Sequence, residues 1–395
     1  MSLPAELIAN VIELVYHLSD GKPDVRTLAA CSIVCKNWSN AVRPLLHRHL
    51  IIGDVISQGR MWHHHTFDRA NALLHAPGNL GTYVRAVHLR VFPLNSSFME
   101  FFTILSFCPH VYQLSLEVTL RAFSELGLGM LASLPVRIRG LELACGPTSP
   151  ALYQLLQIWP SIQFLDLLTE LTAPPPENRP PFTLYELTTE RQSLDVLRWL
   201  LPPLQDGLHK TDLQILGFWN TPSEDVSDVI TEYAPHVRSL RLPHPPKHDF
   251  LKPFTALEEF ALRIFPGFFP PLPLPQTIQH LRIHNPIVIT GPLESRMIGA
   301  VEALPNLRWV TVNQPAADRC EFGELGRVCE ERGIEMVVDP AAVSLVGHLL
   351  FLRGGCDSMI CSLNILFALN VFRVCTRWRI SVACIRHPMV DFRPR

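Results

Sequence analysis

Val84-Arg-Ala-Val87-His-Leu89, Val111-Tyr-Gln-Leu114-Ser-Leu116 and Ile138-Arg-Gly-Leu141-Glu-Leu143 repeat one pattern: apolar-x-x-apolar-x-apolar. It returns at Ile162-Gln-Phe-Leu165-Asp-Leu167, Leu213-Gln-Ile-Leu216-Gly-Phe218 and Val237-Arg-Ser-Leu240-Arg-Leu242. Later copies are Leu257-Glu-Glu-Phe260-Ala-Leu262, Ile278-Gln-His-Leu281-Arg-Ile283 and Leu307-Arg-Trp-Val310-Thr-Val312, with a weaker one at Ile334-Glu-Met-Val337-Val338. The last three positions alternate apolar, outward, apolar, which is the period of a strand. Several copies follow a proline (Pro109, Pro135, Pro160, Pro235, Pro305) that stops the preceding segment. Between copies the period changes to 3.6, predicting helices over 98–107, 122–134, 151–158, 224–233, 296–304 and 324–331.

Copies start 20–29 residues apart, except for one interval of 51 between Ile162 and Leu213. That interval spans about two periods, so one copy is expected to be replaced by irregular chain. It contains a proline-rich insertion, 173–181. A strand and helix recurring at this length resemble a leucine-rich repeat. The repeat is degenerate: the usual Asn/Cys position is matched only in part, by Cys145, Asn220 and Asn285. The resemblance implies an α/β solenoid over 84–340, a curved parallel sheet with helices on its convex side. An ordinary α/β domain of βαβ units is the alternative.

In such a sheet the apolar positions face the helices and the intervening ones face outward. The outward set includes Glu117, Glu142 and Asp166 in the middle units, then Trp219, Arg241, Arg263, Arg282 and His284. The order of signs, acidic then basic, suggests a surface that reads a protein substrate by charge, with Trp219 as an aromatic anchor. A solvated face whose charge order has no function fits the same residues.

The first fifty residues differ in texture. Pro4 and Glu6 suit the first turn of a helix. Leu7, Ile8, Val11, Ile12, Leu14 and Val15 then form an apolar stripe at helical spacing. The run Ser19-Asp20-Gly21-Lys22-Pro23 breaks it. Further helices are expected near 24–32 and 37–47. Leu3-Pro4-Ala5-Glu6-Leu7 and Val34-Cys35-Lys36-Asn37-Trp38 together resemble an F-box, with a longer loop between its first two helices. Leu73, Leu74, Pro77, Tyr83, Val84 and Arg85 are similar to the linker of F-box-like proteins of the basidiomycete type. The resemblance implies an F-box-like module over 1–50 and a helical linker over 51–83. It also implies docking on the Skp-family adaptor of a cullin–RING ubiquitin ligase. Leu3, Pro4, Leu7, Ile8, Ile12, Val34 and Trp38 are the candidates for that docking surface or its support. A plain helical cap on a larger fold is the alternative.

Of 395 residues, 48% are hydrophobic and 18% charged, enough apolar content for a sizeable core. The net charge of -2 argues against nucleic acid as a partner. Residues 1–10 lack a basic start and already carry Pro4 and Glu6, so no secretory leader is expected. Ten scattered cysteines read as reduced thiols, so the expected location is cytoplasmic or nuclear. Cys31 and Cys35 share a helix face without a second pair at zinc spacing, and read as packing. His63-His64-His65 reads as a solvated loop. The chain contains no Gly-x-Ser-x-Gly, His-Glu-x-x-His, P-loop or Gly-x-Gly-x-x-Gly motif. No enzyme, metal or cofactor is therefore expected. After Pro340 the repeat phase ends, and 341–395 is an apolar, cysteine-containing tail. Its longest uncharged run, 358–372, is too short to span a membrane. It reads as a cap, or as sequence that was never selected as part of the protein, such as retained intron.

Overall fold

The computed structural model describes residues 5–16, 24–52, 54–57, 60–63, 67–75, 79–91, 95–119, 121–204, 211–246, 249–263, 274–283, 294–317 and 322–339. Leu3, Pro4, His284 and the tail 341–395 lie outside them.

The chain opens with three helices, α1 (Ala5–Tyr16), α2 (Val25–Ser32) and α3 (Lys36–Leu46). The Asp24 carboxylate accepts from the backbone N–H of Thr27 at 2.9 Å and caps α2. Ile8, Ile12 and Tyr16, one stripe of α1, close with Leu28 and Val42 into a separate small core.

A twelve-stranded parallel sheet follows. Its strands are β1 (His49–Ile52), β4 (Ala86–Val91), β5 (Gln113–Val118), β6 (Gly140–Cys145), β7 (Phe164–Leu167) and β8 (Glu186–Thr189). Then come β9 (Ile215–Phe218), β10 (Ser239–Leu242), β11 (Glu259–Leu262), β12 (His280–Ile283), β13 (Trp309–Asn313) and β14 (Glu335–Asp339). β2 (Asp54–Ser57) and β3 (Arg60–His63) form an antiparallel hairpin outside the sheet. Each strand of the sheet pairs with its predecessor, so space follows chain order, as in a solenoid. Helices lie between many of the strands, though among the described residues none separates β7 from β8, β10 from β11 or β11 from β12: α4 (Phe67–Leu74), α5 (Asn95–Phe107), α6 (Glu125–Ser133), α7 (Ala151–Ile158), α8 (Leu194–Leu200) and α9 (Ser227–Tyr233). α10 (Glu294–Ala303), α11 (Gln314–Ala317) and α12 (Phe322–Glu331) complete the set. Val87, Leu89, Leu114, Leu116, Leu141 and Leu143 pack with Phe101, Ile104, Leu131 and Leu155 of the helices in one continuous core.

Two expectations are corrected. The sheet starts at His49, well before Val84, because Leu50 and Ile52 enter the same core. The segment 51–83 therefore carries the end of β1, the hairpin, α4 and a 3-10 turn at Leu80–Tyr83. Second, no copy is missing between Ile162 and Leu213. Leu184-Tyr-Glu-Leu187-Thr-Thr189 supplies β8, with Thr189 fully buried in the third apolar slot. One repeated device identifies it. Across the sheet from β1 to β13, a carbonyl just before one strand accepts the two N–H groups that open the next. Gln163 does this for Tyr185 and Glu186, and Tyr185 for Gln214 and Ile215.

The proline-rich insertion is tied down. The Tyr153 hydroxyl donates to the Ala173 carbonyl at 2.8 Å, and Trp199 Nε1 to that of Pro176 at 3.0 Å. Arg179 donates to the carbonyls of Trp199, Phe182 and Leu200, its guanidinium 4.1 Å from the Phe182 ring centre.

Candidate functional site

Apart from Leu3, Pro4 and His284, the candidates for the two surfaces singled out in the sequence are described residues. On the three-helix cluster, the docking candidates separate by role. Ile8 and Ile12 are buried and hold the helices together, and Trp38 packs partly on the same core. Leu7, one position round the helix from Ile8, is 50% exposed, and Val34 is 64% exposed in the turn joining α2 and α3. Val11 and Val25 are exposed as well, and Ile33 stands 85% exposed. The sequence reading missed Ile33, whose only signal is its place at the end of α2.

The sheet's open face carries a register row. His88, Ser115, Glu142, Asp166, Thr188, Gly217, Arg241, Ala261, Arg282 and Thr311 lie side by side on β4 to β13. Gly217 is required there. A Cβ at that position would come 2.7 Å from Thr188 Oγ1. Glu117 belongs to the next row, opposite Arg90. A third row, two residues earlier on each strand, adds Glu186, Glu259 and His280. The sequence reading passed over these three because it counted the positions between and after the last two apolar residues of each copy, and these lie before them.

The side chains of this face are tied to one another. Trp219 Nε1 donates to Asp166 Oδ1 at 2.8 Å, and the Arg263 guanidinium lies 3.4 Å over the Trp219 ring centre. Arg241 pairs with Glu186 at 2.8 Å. Arg282 and His280 both approach Glu259, at 3.6 and 3.8 Å. Burial pushes the Asp166 carboxyl up to about 7, assisted by Glu142 and Glu186 and opposed by Trp219 and Arg263. Burial also lowers Arg263, to about 10, against the pull of Asp166. His280 is lowered by burial, with Glu259 opposing. Glu186 and Glu259 thus interleave with the basic side chains, and Trp219 is engaged on two sides.

One stretch of the face is less tied. A groove of about 420 Å³ runs across β5 to β8, lined by Tyr112, Gly140, Glu142, Phe164, Asp166 and Glu186, among others. A second cavity, of about 610 Å³, lies beyond the ends of β9 and β10 among Pro222, Ile230, Leu242, Pro243, Phe250 and Pro253. Among the described residues no group of three His, Cys, Asp or Glu is placed to hold a metal ion, and no helix is long and apolar enough to cross a membrane.

No protein-family model and no curated protein matches the chain.

Proposed function

We propose that the protein is a non-catalytic substrate receptor of an SCF-type ubiquitin ligase. The three-helix cluster, read as an F-box, docks on a Skp-family adaptor and through it on the cullin–RING ligase. The parallel sheet, read as degenerate leucine-rich repeats, holds a protein substrate in the cytoplasm or nucleus. One observation carries this reading. A helical cluster that buries its own Ile8, Ile12, Tyr16, Leu28 and Val42 still leaves Leu7, Val11, Val25, Ile33 and Val34 open to solvent. Large apolar side chains exposed together on so small a unit mark an interaction surface. The ordered network across the open face of the sheet suits recognition of a protein.

The test is capture of a purified Skp-family adaptor. Wild type is expected to bind, and a Leu7→Ser/Val34→Ser double variant to lose binding with an unchanged circular dichroism spectrum. Failure of the wild type to bind leaves a repeat scaffold of the same fold without a ubiquitin role.

A further inference from the structure

We propose that the groove across β5 to β8 receives a basic side chain, lysine or arginine, of the bound protein. This deepens the substrate-receptor reading by naming the chemistry that the open sheet face selects.

The shape comes from Gly140. It stands in register between Gln113 and Phe164, so one strand of this row contributes no side chain. The gap is bordered by the Gln113 stem and the Phe164 ring, and the Tyr112 ring also lines the groove; both rings face solvent, Phe164 at 41% and Tyr112 at 38% exposure. Aromatic rings beside a gap one side chain wide fit the aliphatic stem and charged head of lysine or arginine.

The charge is complementary. Glu142, Asp166 and Glu186 sit on three neighbouring strands, β6, β7 and β8. Glu186 is matched by Arg241, and Asp166 accepts from Trp219. Glu142 makes no hydrogen bond or ion pair among the described residues. Arg139, which also lines the groove, donates to Gln163 at 3.1 Å. Of the three acids, Glu142 is therefore the one that no described group of the protein satisfies, and it stands next to rings that attract a cation. The rings also decide between occupants, because a metal ion seeks a shell of oxygens and gains little from Phe164.

The full chain is titrated calorimetrically with acetyl-Gly-Ser-Arg-Ser-Gly-amide, with its lysine analogue, and with the citrulline analogue, which keeps the shape of arginine without the charge. The arginine and lysine peptides are expected to bind at least about tenfold more tightly than the citrulline peptide. Glu142→Gln should weaken the arginine peptide about tenfold. Gly140→Leu, which fills the gap, should abolish binding. Both variants should retain the wild-type melting temperature. Binding near pH 7 should release protons in wild type and not in Asp166→Asn. Equal binding of the citrulline peptide overturns the proposal. So does binding indifferent to Glu142→Gln, tighter binding of free spermidine than of either peptide, or no binding at millimolar peptide. Adaptor capture reads a different surface. A protein that captures the adaptor and ignores the peptides refutes only the groove, and the converse result refutes only the ligase reading.

Discussion

The indole N–H of Trp219 reaches Oδ1 of Asp166 across 2.8 Å, although 53 positions separate them in sequence. Trp219 follows β9 and Asp166 lies on β7, so the bond passes over the whole of β8. With Arg263 stacked over the face of the ring, the indole joins an acid and a base that no stretch of sequence brings together.

This arrangement makes stability depend on pH in a defined direction. The Asp166 carboxyl is raised from 3.8 to about 7, so folding favours its neutral form. The stabilising contribution is full below about pH 4 and is lost as pH rises through about 7, at up to about 1.4 kcal/mol per pH unit. Asp166→Asn keeps an acceptor for Trp219 and removes the titration. Urea denaturation from pH 4 to 8 should show the variant gaining on wild type as pH rises. Parallel profiles would refute the assignment.

The proline-rich insertion is expected to contribute to stability through Arg179, which serves three carbonyls from one guanidinium. Arg179→Ala strands those acceptors and should cost about 1–3 kcal/mol. Arg179→Lys should recover little of it, since one ammonium cannot reproduce the planar fork. A lysine variant as stable as wild type would count against this role.

Gly81 sits in the 3-10 turn before β4, where a Cβ would overlap the carbonyl oxygen of Phe107 at the end of α5. Gly81→Ala has to move backbone rather than a side chain. A loss of about 1–3 kcal/mol is expected, read as a lowered thermal midpoint. An unchanged midpoint would show that the turn and α5 shift apart at no cost.

The three-helix cluster should respond differently on its two sides. Ile12→Ala opens a cavity in the small core and should cost about 2–5 kcal/mol. Leu7→Ser and Val34→Ser, both on the solvent side, should stay within about 0.5 kcal/mol of wild type. Thermal denaturation of the three variants separates the groups, and equal losses would place Leu7 and Val34 inside.

Why some of this was legible in advance follows from particular residues. Pro109, Pro135 and Pro160 announce strand starts because proline stops a helix whatever surrounds it. Val87 and Leu89 announce a strand because the alternation of side chains is a local property of extended backbone. β8 escaped notice because Thr188-Thr189 breaks the apolar code, and the proline-rich run before it resembles a loop. Thr189 is nevertheless buried in that slot, held by the strands on either side.

The sequence by itself determined the parallel strand–helix repeat, the apolar stripe of α1 and the outward position of Glu142, Asp166, Arg241 and Arg282. Each depends on the period of a single element. The tertiary structure decided which stripe residues point inward, with Ile8 and Ile12 in the core and Leu7 in solvent. It also set which charges meet, pairing Arg241 with Glu186 and leaving Glu142 beside an open groove. Those outcomes depend on neighbours one or more repeats away. Strand register sets these distances, and no local pattern encodes them.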